Sequence, residues 1–520
     1  MYPLAHILER ARVLFPERLA VVGGSLRMTY ATLADRVHRL AGALGALGLK
    51  RGDRVALLDW NSHRYLECYY ACAHAGLAFM PLNSRLAPRE LRYVLEDSAA
   101  RVLMFSEPFL PQYEEIGRAA PSLEHAIGLA LPKPLAGVLD YETLLDGATP
   151  LRAPVATALD ETMLIYYTSG TTGEPKGVCL TNGNMVAGAI DPLMFLGIRR
   201  DDVMLHAGPL FHLATSWGVW SMPYVGAVQI THHFDPKRAI ELIARERVTI
   251  TALPGAILGM VADLPETRQH DISTLRTIVY GGSPTPMGVL KRAADALPPA
   301  LTHVYGITEL AGYVTALLPE EHVFDGAPDA LRRTASAGQA VPLVDVRVVD
   351  DDGRDVPMGE VGEIVCGGPK VMAGYWRKPE ATAAALKDGW YHTGDMGVLD
   401  EHRYLTVVDR KKDMIISGGE NVYSVEVESV LSTHPDVLEV AVIGVPDEKW
   451  GEAVMAIIVA RPGARPTAEA LASFCRGKIA GYKIPKAVEL RAEPLPKTGP
   501  GKIAKRVLRE PYWKGVGRRI

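Results

Sequence analysis

Residues 167–177 read YTSGTTGEPKG, a run of small hydroxylated residues and glycines closed by Lys176. Thr168, Ser169, Gly170, Thr171, Thr172 and Gly173 offer hydroxyls and backbone N–H groups that glycine leaves free to turn inward, and Lys176 adds a positive charge. Such groups suit the wrapping of several phosphate oxygens at once, so a polyphosphate is the expected ligand. A plain linker would use the same residue types for turns, but it gains nothing from four hydroxyls in five positions. Spacing excludes a Walker phosphate loop. Gly170 and Gly173 lie too close together, Pro175 stands where the second Walker glycine belongs, and Gly177 follows the lysine in place of a magnesium-binding hydroxyl.

Around this loop, helix and strand patterns alternate. From Thr29 as N-cap, Leu33, Val37, Leu40, Leu44 and Leu47 recur at steps of three and four, which predicts a helix running on until Gly52. RVALLDWN then reads as a buried strand, a second helix passes through Leu66, Tyr70 and Ala73, and LAFMPLN and RVLMF supply further strands. The pattern resumes in VMLHAGPLFH, ELIARERVTITALPG and LRTIVYGGSP. The expected class is α/β: a large layered N-terminal domain over 1–409, with a small β subdomain from about 336 to 409 where strands and turns become short. After Arg410 the chain reads as a small α+β domain of its own, over 413–520, in which one helix mixes with paired strands.

Composition fits this size and excludes several functions. A chain of 520 residues, 48% apolar, is too long for one core. Its net charge of −4, from 56 basic and 60 acidic residues, gives no global field for nucleic acid or an anionic membrane. Five cysteines, an odd number, read as a reduced intracellular chain, and Cys68 and Cys72 share a helical face without the neighbours a metal site needs. The opening MYPLAHILERARVLFPER does not read as a secretory signal, and no apolar run approaches the roughly 20 residues of a membrane helix. A cytoplasmic protein with no integral membrane segment is expected.

Further groups line up with the phosphate loop. In VYGITEL, Thr308 sets a hydroxyl beside the Glu309 carboxylate, a fair magnesium site when phosphates supply the other oxygens. YHTGD ends in Asp395, which after a glycine can accept from both hydroxyls of a ribose, and Arg410 in VDRKKD can hold the sugar from the other side. LPKTGPGKI carries Lys502 on a loop that proline and glycine keep from being helix. Taken singly, each of these charges fits a solvated surface position.

YTSGTTGEPKG, VYGITEL, YHTGD, DRKKDMIISGGEN and PKTGPGKI together, in this order and at these separations, resemble the adenylate-forming superfamily of acyl-CoA synthetases, luciferases and peptide-synthetase adenylation domains. The resemblance spans nearly the whole chain. It implies a two-step ligase using ATP, Mg2+ and CoA: a carboxylate attacks the α-phosphate of ATP, and a thiol then displaces AMP. By resemblance, the residues from Thr168 to Gly173 with Lys176 hold the β- and γ-phosphates, Glu309 the magnesium, Thr308 the α-phosphate, and Asp395 and Arg410 the ribose. Gly281, Gly282, Ser283, Pro284 and Tyr305 border the adenine. Lys502 bridges the attacking carboxylate and the α-phosphate. The same resemblance implies a hinge at 410–412, at Lys412, on which a mobile C-terminal domain swings, with Gly418 and Gly419 lining the pantetheine tunnel and Trp450 and Lys483 meeting CoA.

PLFHLATSW resembles the segment lining the carboxylate side, with His212 next to the reacting carbonyl. The fatty acyl branch carries a gating tryptophan four residues after this histidine, whereas Trp217 here follows by five. Leu213, Ala214, Val219 and Trp220 suggest an apolar tail, which favours a medium- or long-chain fatty acid, with aryl or alicyclic acids next. The function classes in play are a CoA ligase, as a monomer or a homodimer, an acyl-AMP ligase serving a carrier protein, and a silent nucleotide-binding module. Lys176, Glu309 and Lys502 all being present speaks against the last.

Overall fold

The structure is a computed structural model that describes residues 2–116, 120–168, 175–282, 285, 287–418, 420–447, 449–497 and 503–514. Strand residues sort to two sides, as a sheet covered on both faces requires. Val55 and Leu57 of the strand Arg54–Leu58 enter one core, while Ala56 and Leu58 enter another. Val21 and Val22 of Leu19–Gly23 divide in the same way. The first core is shared. It holds side chains from a nine-stranded and an eight-stranded sheet together with the helices Tyr30–Ala46, His63–Ala75, Asn182–Phe195 and Leu213–Val225. Helices Pro236–Arg245 and Met287–Ala296 cover the outer face of the first sheet, and Pro88–Ser98 that of the second. The N-terminal domain is therefore layered helix, sheet, helix, sheet, helix.

Within the nine-stranded sheet, Val203–His206, Ile250–Ala252, Thr277–Gly281 and Leu301–Ile307 run parallel as neighbours. Gly281 and Thr308 therefore follow the carboxyl ends of adjacent parallel strands, where open α/β sheets bind ligands. Gly281 has φ +149°, and a Cβ there would sit 2.1 Å from the Val304 carbonyl oxygen, so a side chain would prise the two strands apart.

The N-cap at Thr29 is as expected, with its side chain accepting from Thr32 N–H, but the helix stops at Ala46 and not at Gly52. Gly48 turns into the left-handed region at φ +85°, and Leu49 N–H returns to the Leu44 carbonyl, closing the helix end one turn early.

A five-stranded sheet contains Asp345–Val349, Gly362–Gly367, Leu386–Lys387, Trp390–Leu399 and Leu405–Arg410. Gln339–Ala340 and Gly374–Tyr375, from the same stretch of chain, join the two large sheets instead. The small C-terminal domain has the antiparallel pair Val437–Asp447 and Gly451–Ala460 at its centre, with Ala487–Arg491 parallel to the latter. Three helices, Ser424–Leu431, Ala468–Cys475 and Lys505–Trp513, pack on this sheet. Among the described residues, no helix is long and apolar enough to cross a membrane.

Candidate active site

The phosphate-type loop closes a hairpin. Thr162–Thr168 and Lys176–Thr181 are antiparallel, with Thr168 opposite Lys176. Ser169, Gly170, Thr171, Thr172 and Gly173 lie outside the described residues, but the ladder fixes where the loop starts and where its lysine ends. Gly374–Tyr375 pairs with the same strand, so the Tyr375 ring comes beneath Lys176, whose Nζ lies 5.0 Å from the ring centroid. Tyr375 OH donates to Glu309 Oε1 at 3.0 Å and lies 3.4 Å from the Tyr391 hydroxyl. A tyrosine therefore links the loop lysine to the acid of VYGITEL.

Glu309 sits on the short 3-10 turn Thr308–Leu310 and is 7% exposed. Its backbone carbonyl accepts from Met372 N–H at 2.8 Å, which ties the turn to the segment leading to Tyr375. Burial pushes its pKa up; hydrogen bonds from its own backbone, Tyr375 and Tyr391 act against this, and the Asp395 charge adds to it. None of these groups is a cation.

Asp395 and Arg410 face each other on the paired strands Trp390–Leu399 and Leu405–Arg410, Nε to Oδ1 at 3.4 Å. Tyr305 OH donates to Asp395 Oδ2 at 2.7 Å. The structure thus brings Lys176, Thr308, Glu309, Tyr305, Asp395 and Arg410 into one neighbourhood with the end of the Gly281 strand. Ser283, Pro284 and Lys502 lie outside the described residues, and so does Gly419.

His212 caps the helix Leu213–Val225, with Nδ1 accepting from Ala214 N–H at 3.2 Å, so the neutral ring carries its proton on Nε2. Tyr313 OH donates to the Ala214 carbonyl at 2.8 Å, setting this helix start beside the strand that follows Glu309. Trp217, 4% exposed, packs into the shared core with its ring centroid 6.2 Å from that of Tyr313.

A second group lies on the C-terminal domain. Gly418, at φ +66°, donates its N–H to the Trp450 carbonyl, and a Cβ there would approach the Trp450 ring to 2.7 Å. Trp450 is 39% exposed, flanked by Lys449 and Lys486 with Nζ at 4.8 and 3.9 Å from its ring. Lys483 is paired with Glu426 at 2.7 Å. Lys412 is exposed, and its carbonyl accepts from Arg509 at 2.9 Å.

Sequence reasoning missed Tyr375, Tyr391 and Lys486. Tyr391 opens the YHTGD motif itself, so its place was visible; Tyr375 has no such marker, because only the pairing with Val178 brings it to the site.

Comparison with known proteins identifies the family. The AMP-binding enzyme family matches residues 8–376, and the AMP-binding enzyme C-terminal domain family matches 426–502. A feruloyl-CoA synthase of Amycolatopsis sp is 41% identical over 97% of this chain and 98% of its own. A long-chain-fatty-acid–CoA ligase of Mycobacterium tuberculosis is 38% identical over 94% of this chain and 93% of its own. The crystal structure of an anthranilate CoA ligase in complex with anthranoyl-AMP superposes with a TM-score of 0.88 at 28% identity, covering 98% of this chain and 97% of that one. Five spaced motifs, a layered α/β domain with a small α+β domain behind it, and two family matches in series make this chain a member of the AMP-binding enzyme family, an acid–thiol ligase of the adenylate-forming superfamily.

Proposed function

We propose that the enzyme joins an apolar carboxylic acid to CoA through an acyl-adenylate. A carboxylate oxygen attacks the α-phosphorus of ATP and pyrophosphate leaves; the CoA thiol then attacks the acyl carbon and AMP leaves. The observation that carries this reading is the run from Lys176 through Tyr375 to Glu309, with Asp395 held beside it by Tyr305 and Arg410. A cation and a buried carboxylate serve the charged end of a nucleotide triphosphate, and a second carboxylate serves its sugar. Catalysis of this kind needs mainly positioning and neutralisation of charge.

Asp395 is proposed to accept from the ribose hydroxyls. Asp395→Asn removes one charge-assisted acceptor, worth about 1.5–3 kcal/mol, and should raise the KM for ATP about tenfold while leaving the KM for the acid unchanged. Initial rates over ATP concentration measure this, and an unchanged KM for ATP assigns Asp395 to the strand pair alone.

Magnesium fits the donor set. Glu309 is a buried carboxylate whose strongest influences include no cation, and such an oxygen ligand suits a hard divalent ion beside phosphate oxygens. When bound, the ion would neutralise phosphate charge. Glu309→Gln keeps the size and removes the charge, so the magnesium concentration for half-maximal rate should rise about tenfold. Its effect on folding has a definite sign. Since burial raises the folded-state pKa of Glu309 above its ordinary value, ionisation costs more in the folded chain, and this cost grows as pH rises from the ordinary value to the raised one. Without magnesium, Glu309→Gln should therefore melt above the parent at pH 8 and level with it near pH 4. Thermal scans at both pH values decide, and a variant that melts lower at pH 8 contradicts the sign.

Two supports favour an apolar tail: the buried apolar helix after His212, and relatives whose names divide between aromatic and fatty acids. For the thiol step, the half-exposed Trp450, packed over Gly418 and lying between two lysines, offers an aromatic face with phosphate-binding charge. Pyrophosphate exchange into ATP, run with ferulate, indoleacetate, dodecanoate and palmitate, tests the reading. Exchange that depends on one class of these acids supports it, and none with any acid overturns it.

A further inference from the structure

Three residues far apart in the sequence meet between the N-terminal helices. Glu9 lies on Ala5–Leu14, His38 on Tyr30–Ala46 and His74 on His63–Ala75, and these helices pack on one another. His38 and His74 are 3% and 2% exposed, with ring centroids 4.7 Å apart. Glu9 Oε1 lies 2.5 Å from His38 Nε2 and 3.6 Å from His74 Nδ1. Among the described residues this is the one group of three ligand-type side chains whose donor atoms all fall within 4.8 Å of one another.

Hydrogen bonds define what each atom can do. His74 Nε2 is 2.8 Å from the Leu151 carbonyl, which can only accept, so this nitrogen carries the ring proton. In the neutral ring Nδ1 then presents a lone pair to a carboxylate oxygen, two acceptors facing each other inside the protein. A carbonyl holding the outer N–H of an imidazole is also the usual arrangement behind a metal-bound histidine. Arg12 holds the other Glu9 oxygen at 3.0 Å and leaves Oε1 directed at the rings. His38 Nδ1 is buried with no hydrogen-bond partner.

We propose that Glu9 Oε1, His38 Nε2 and His74 Nδ1 bind one divalent transition-metal ion of the zinc or cobalt kind, with water as fourth ligand, and that the ion staples the N-terminal helix to the two helices behind it. Donor atoms around such an ion, with bonds of about 2.0 Å, stand about 3.3 Å apart. The His74 edge is already near this length, and the His38 edge opens by less than about 1 Å. Binding displaces the His38 Nε2 proton, and Nδ1 of the same ring, having no other partner, takes it; no proton is released from a neutral ring. The donor set, two imidazoles and one carboxylate, is one that zinc takes.

The test uses the full chain stripped of metal, titrated with zinc chloride against a chromogenic chelator and separately with cobalt chloride. One zinc per chain, a rise in melting temperature with zinc, and the intense visible bands of four-coordinate cobalt are expected. His38→Gln and His74→Gln should each weaken zinc binding by at least about tenfold and abolish the melting shift. No zinc binding by the parent chain, or equal binding by parent and folded variants, overturns the proposal. Should a variant fail to fold, the cobalt spectrum of the parent decides: four-coordinate bands support the site, and only the weak bands of hydrated cobalt overturn it.

Discussion

Lys502→Ala should lose about 10²- to 10³-fold in the adenylation step, the usual cost of removing one group aimed at charge developing in a closed site. The motif PKTGPGKI assigns this lysine, by resemblance, to the oxygen that bridges carboxylate and α-phosphate. Its charge matters most when the carboxylate attacks and the phosphoryl oxygens gather negative charge. The thiol step, in which the attacked atom is the acyl carbon, needs a different arrangement. The variant should therefore convert preformed acyl-adenylate and CoA to thioester at nearly the parent rate. Pyrophosphate exchange measures the first step and thioester formation from synthetic acyl-adenylate the second. A variant that exchanges normally, or loses both steps equally, is incompatible with the proposed role.

Lys412→Pro should separate the same two steps in the opposite sense. Lys411 still belongs to the N-terminal side, its N–H donating to the Gly394 carbonyl and its Nζ reaching Asp351 at 2.8 Å. Lys412 belongs to the other side, its carbonyl taken by Arg509 of the helix Lys505–Trp513. The chain thus exchanges one set of partners for the other at this residue, where a change of backbone angle would swing the C-terminal domain. Proline fixes φ near −65° and so holds the junction in one setting. Adenylation is expected to survive while transfer to CoA falls about 100-fold, roughly 2.8 kcal/mol on the barrier. Lys412→Ala, which keeps the backbone free, should be mild. Equal loss in both half-reactions after the proline change would place the moving residue elsewhere.

The α/β frame was legible in the sequence because strands such as Arg54–Leu58 are apolar on both faces and helices such as Tyr30–Ala46 repeat at three and four. The end of that helix was misjudged because Leu47 continues the apolar pattern while Gly48, not Gly52, makes the turn. At the site, Glu309, Asp395 and Arg410 were visible because each sits in a short motif with a distinctive neighbour. Tyr375 was not, since an unmarked tyrosine gains its position only from strand pairing with Val178. Lys483 pairs with Glu426 at 2.7 Å, and Lys486, which no motif marked, lies 3.9 Å from the Trp450 ring. Lys505 pairs with Glu428 at 2.7 Å, and Arg509 lies 3.7 Å from Asp413. Glu9, His38 and His74 carry no sequence signal at all, because three separate helices bring them together.

The most direct measurement is the product balance of a single reaction. The chain, ATP, Mg2+ and a panel of aromatic and fatty acids are incubated with and without CoA, and nucleotides, pyrophosphate and acyl products are counted by chromatography and mass spectrometry. With CoA, equal amounts of acyl-CoA, AMP and pyrophosphate are expected for at least one acid, and without CoA that acid should accumulate as acyl-AMP. Formation of ADP and phosphate, thioester without AMP, or untouched ATP with every acid would contradict the account.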